Sequence, residues 1–143
     1  MNSDLALEAR LKAYYITAIS GVVFALLGFS YNTWRLEVSE DNNNVRTAAF
    51  AVLNELAELE QFIYLAHYDH ANTSPRTGWV KVGLIADLSG LISEPVKKQA
   101  QLLRESWSLR WELFAGDRAA TNELVNAIDA VRDAIKQKLL ELS

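Results

Sequence analysis

The sequence predicts an all-α protein, with an N-terminal single transmembrane helix followed by an antiparallel four-helix bundle. Three observations carry this expectation. Residues 13–34 hold no charge. Beyond them, apolar residues recur every three or four positions, with no strand-like alternation. Two prolines and six glycines in 143 residues leave few breaks, which favours long helices over a many-turned β fold.

The first twelve residues, MNSDLALEARLK, read as a short leader (1–12) in which Asp4 and Glu8 balance Arg10 and Lys12. The transmembrane helix is placed at 13–35. At a rise of about 1.5 Å per residue its uncharged run spans roughly 33 Å, close to a hydrocarbon core of about 30 Å. Tyr14 and Tyr15 mark one edge and Tyr31 and Trp34 the other, where amphipathic rings favour the headgroup level. Arg10, Lys12 and Arg35 lie just outside, within snorkelling reach. A cleaved signal peptide is the weaker alternative. Gly28 and Ser30 offer small residues before Tyr31, but the leader has no net positive charge and the apolar run is long. A soluble helix apolar all round would need burial on every side, which a small domain rarely offers. Positive charge is slightly enriched before the span. The expectation is therefore a cytoplasmic N-terminus and a C-terminal domain on the periplasmic side of a bacterial inner membrane.

Within the span, Ala18, Gly21, Ala25 and Gly28 are spaced 3, 4 and 3, a stripe of small side chains. Such stripes let helix backbones approach closely in lipid. They point to a helix partner in the membrane, either a second copy or another protein.

Residues 36–44 end in three asparagines, poor helix formers, and read as a partly helical juxtamembrane linker. The bundle is expected over 45–143. Its first helix, about 45–68, lines up Val45, Ala49, Val52, Leu56, Leu59, Ile63 and Ala66 on one face. Were it continuous with the membrane span, this stripe and the small-residue stripe would face roughly opposite sides. DHANTSPRTG reads as a loop, with Ser74, Pro75 or Thr77 starting a short apolar helix over about 78–91. Ser93 suits an N-cap, with Glu94 and Pro95 in the first turn of the third helix. Its ridge is Val96, Ala100, Leu103, Trp107, Trp111 and Phe114, and Gly116 is expected in a left-handed closing conformation. Asp117 caps the last helix, whose inward positions are Leu124, Ile128, Val131, Ile135, Leu139 and Leu142.

The chemistry is sparse. There is no cysteine, which excludes disulfides, thiolate metal sites and a cysteine nucleophile. A formal charge of −4 with no basic block argues against nucleic acid. No phosphate-cradling glycine loop, G-x-S-x-G or H-E-x-x-H occurs. His67 and His70 are weak metal candidates. Three residues before His67 stands Tyr64, so the Glu-x-x-His pattern of di-iron bundles fails, and histidines bonding carbonyls at a helix end are the simpler expectation. No cofactor is implied. Trp107, Trp111 and Phe114, with Trp79, either fill the core or form an aromatic recognition site for a small ligand. The expected function is a non-enzymatic accessory or scaffold subunit of a membrane complex. The alternative is a small-molecule sensor that signals through a partner.

Overall fold

A computed structural model of the chain describes residues 2–142. They are all-helical, with no strand among the described residues, and form four helices: α1 (Asn2–His67), α2 (Pro75–Ser89), α3 (Glu94–Arg110) and α4 (Arg118–Glu141). Two compact units divide the chain, one up to Asp41 and the other from Asn42. Residues 36–44, expected as a linker, are helical and lie within α1.

In the first unit every side chain of residues 13–35 is exposed. Tyr14, Phe24 and Phe29 each leave more than seven-tenths of their surface open. This segment is long and apolar enough to cross a membrane, and none of its apolar window is buried in the protein.

The second unit has one hydrophobic core, drawn from all four helices. From α1 come Ala49, Val52, Leu56, Leu59 and Ile63, from α3 Val96, Ala100, Leu103 and Trp107, and from α4 Leu124, Ile128, Val131 and Ile135, all fully buried. The three-and-four spacing of these residues explains why each segment is helical: only that backbone brings them to one face. Helix α2 contributes Gly78, Val82, Ile85 and Ser89.

The helix ends follow local chemistry. Pro95 occupies the first turn of α3, and the Ser93 hydroxyl accepts from the Val96 amide at 3.5 Å. The Asp117 carboxylate accepts from the Ala119 amide at 2.8 Å. Gly116 departs from expectation, since no glycine has positive φ. Helix α3 stops at Arg110, and 111–116 continue as turns with the Gly116 and Asp117 amides both donating to the Leu113 carbonyl. Those bonds close the segment without a left-handed residue. The left-handed position is instead His70, at φ 49° in the loop after α1.

Ion pairs link the outer surfaces of these helices. Lys81 of α2 reaches Glu55 of α1 at 3.2 Å and also bonds Glu58. Arg132 of α4 reaches Glu60 of α1 at 2.7 Å and bonds Asp129. Arg110 bonds Glu123.

Candidate functional site

The aromatic residues singled out in the sequence meet in one cluster built from Trp79 of α2, Trp107 near the end of α3, and Trp111 and Phe114 in the turns that follow it. Trp107 is its centre and is fully buried. Its ring lies 5.4 Å from Phe114 and 6.4 Å from Trp79, centroid to centroid, the latter edge-on at 88°. Trp79 also meets Trp111 at 6.4 Å. Phe62 of α1 closes the group, 6.3 Å from Trp107 and 6.1 Å from Phe114. These tilted and edge-on arrangements set ring edges against ring faces, where the quadrupoles attract.

Gly78 makes the seat for Trp107. A Cβ at that position would lie 2.2 Å from Cζ2 and 2.4 Å from Cη2 of the indole. The absence of a side chain is what lets α2 lie against the ring. The indole Nε1 is buried and has no acceptor. An unsatisfied donor costs about 1–3 kcal/mol, whereas burying an indole of roughly 200 Å² returns about 5 kcal/mol. Packing outweighs the orphaned donor.

The cluster has a closed and an open side. Trp107 and Phe114 belong to the core, and Trp111 is half-buried. Trp79, about 37% exposed, forms one wall of a cleft of about 400 Å³ whose other walls are Gln101, Arg104, Glu105 and Ser108 of α3.

His67, the last residue of α1, ends on the connection between α3 and α4. Its Nδ1 lies 2.9 Å from the Phe114 carbonyl oxygen and 3.2 Å from that of Ala115. Both partners are acceptors, so Nδ1 carries the proton and donates. The buried Thr121 hydroxyl donates to the same Phe114 oxygen at 2.7 Å. His67 thus acts as a fastener between elements. His70 lies past the end of α1, exposed, so the pair does not share a helical face. Among the described residues no group of three or more His, Asp or Glu side chains is placed to hold a metal ion.

The charges shift as their pairing requires. The hydrogen bond from Lys81, helped by one from Asn54, holds the Glu58 carboxyl below the usual glutamate range. The same bond to Glu58 raises Lys81. The bond to Glu60 raises Arg132.

In the first unit, Ala18, Gly21, Ala25 and Gly28 are all exposed on α1, and a Cβ added at Gly21 or Gly28 would meet nothing within 4 Å. Two residues of the aromatic cluster escaped the sequence reading. Phe62 sits beside the counted stripe, next to Ile63, and its burial shows only once the helices pack. Gly78 carries no sequence signal at all, since nothing local forces its conformation.

No protein-family model, curated protein or solved structure matches this chain.

Proposed function

We propose that this is a single-pass protein of a bacterial inner membrane, with residues 13–35 in the bilayer and 45–143 folded as an antiparallel four-helix bundle on the periplasmic side. It serves as a non-enzymatic accessory or scaffold subunit of a membrane complex. The observation that carries this reading is the unburied apolar segment of α1. At about 25 cal/mol per Å² of apolar surface, a single phenylalanine there prefers lipid to water by about 2–3 kcal/mol. A dozen such side chains make the bilayer the natural solvent for the segment. The open stripe of Ala18, Gly21, Ala25 and Gly28 supports close approach of a partner helix, from a second copy or another protein. A non-enzymatic role is supported by an apolar, filled core and by carboxylates Glu55, Glu58, Glu60 and Glu123 that face lysine or arginine across helix boundaries.

In-membrane crosslinking with mass spectrometry tests the proposal. Expected are a full-length chain that stays with the membrane fraction on alkaline extraction and a crosslinked species larger than the monomer. A mature polypeptide starting near Tyr31, an aqueous full-length chain, or capture of nothing but monomer would each overturn it. A second reading, ligand sensing through a partner, is favoured by the open cleft at Trp79.

A further inference from the structure

We propose that the cleft between α2 and α3 at Trp79 is a binding site for a zwitterionic aromatic amino acid. All its lining residues belong to the unit that starts at Asn42, so the site does not depend on where α1 resides. Its volume of about 400 Å³ falls in the range of about 300–1,000 Å³ typical of small-ligand sites. One wall is the exposed part of the Trp79 indole, held in place from behind by edge contacts to Trp107 and Trp111. A flat apolar surface fixed in this way stacks an aromatic ring without losing side-chain freedom on binding.

The charges of the cleft complete the recognition. Arg104 and Glu105 both line it, and neither side chain is engaged in an ion pair among the described residues. Several other charges of this unit are committed: Lys81 to Glu55 and Glu58, Arg132 to Glu60 and Asp129, and Arg110 to Glu123. The cavity at Tyr64 has no cation in its lining, and the groove at Lys98 has no aromatic. The Trp79 cleft combines a ring face with free charge of both signs. The Arg104 guanidinium suits a carboxylate and the Glu105 carboxylate suits an ammonium. Gln101 adds an amide that can donate or accept.

The test is equilibrium dialysis of the full-length protein in detergent micelles against radiolabelled L-phenylalanine. Saturable one-site binding is expected, displaced by unlabelled L-tryptophan. Phenylacetate and phenethylamine, each lacking one charge, should compete about tenfold less well. Arg104 and Glu105 are exposed, so R104Q and E105Q should melt like the parent while each weakens L-phenylalanine binding about tenfold. Failure to saturate by about 10 mM, competition by phenylacetate equal to that by L-phenylalanine, or unchanged affinity in both variants would overturn the proposal.

Discussion

Replacing Gly78 by alanine separates helix propensity from packing. On propensity alone Gly78→Ala stabilises α2 by up to about 1 kcal/mol. The structure demands the opposite result. The new Cβ would lie 2.2 Å from Trp107 Cζ2, and ordinary contact begins near 3.4 Å, so the helix or the ring must move by 1.2 Å. Trp107 is fully buried and hemmed in by Phe62, Trp79 and Phe114, which leaves the ring no free direction. Overpacking of this kind costs about 1–3 kcal/mol, and the rigid indole puts it at the upper end. Subtracting the propensity gain leaves a net loss of about 2 kcal/mol. For a unit of about 100 residues that lowers Tm by roughly 8–16 °C. Gly83→Ala is the control, because a Cβ there meets nothing within 4 Å. It should raise Tm by a few degrees. Thermal unfolding followed by near-ultraviolet circular dichroism reads both. A double-mutant cycle with W107F, which removes the clashing indole atoms, should recover at least about 1 kcal/mol of the G78A loss. If G78A melts at or above the parent, or if W107F gives no rescue, α2 does not lie against the indole in the way described.

Three further outcomes follow from the geometry. Because His67 and Thr121 both donate to the Phe114 oxygen, H67A and T121V should each cost about 1 kcal/mol in denaturant melts. Together they should exceed their sum, since the double variant strands the acceptor. The Glu58 carboxyl is held low by Lys81. Its contribution to stability is therefore present above the ordinary glutamate pKa and is lost as pH falls through the depressed value. K81M should flatten that part of an acid titration of Tm, and an unchanged acid limb would contradict the pairing. In the apolar segment of α1 that we propose spans the membrane, Gly21→Leu and Ala25→Leu should reduce the yield of crosslinked species several-fold, while Val22→Leu on a different face should not. Equal yields across the three would remove the small-residue stripe from the proposed interface.

Much of the helical pattern was legible because burial leaves a periodic trace. The stripes read for α1, α3 and α4 are the residues found in the core, with Val45, Trp111 and Leu139 only partly covered, except that Leu142, read as inward, lies past the end of α4 and outside that core. Helix starts were equally plain where a side chain satisfies an orphaned amide, as at Ser93 and Asp117. Three features were hidden for identifiable reasons. The helix runs through Asn42, Asn43 and Asn44 because a weak local propensity of a few tenths of a kcal/mol per residue yields to the helix on either side. Gly116 looked like a left-handed stop, but the Leu113 carbonyl satisfies the amides of Gly116 and Asp117, so the turn closes without one. The tightness between Gly78 and Trp107, 29 positions apart, depends on how α2 and α3 lie together, which no local pattern encodes. Of the cleft, the sequence pointed to Trp79. Arg104 and Glu105 were silent because a charged pair on a helix looks the same whether or not it borders a hollow.

The Arg46 guanidinium donates to the Leu142 carbonyl at 2.7 Å, across 96 positions of sequence. That tie joins the early part of the second unit, within α1, to the residue just past the end of α4. During translation the ridge of Val52, Leu56, Leu59 and Ile63 is made well before Ile128, Val131 and Ile135, its covering on α4. Until the ribosome has released α4, the nascent polypeptide holds a greasy surface open and is a natural client for chaperones. A premature stop codon inside α4 would accordingly yield an aggregating fragment rather than a smaller working fold.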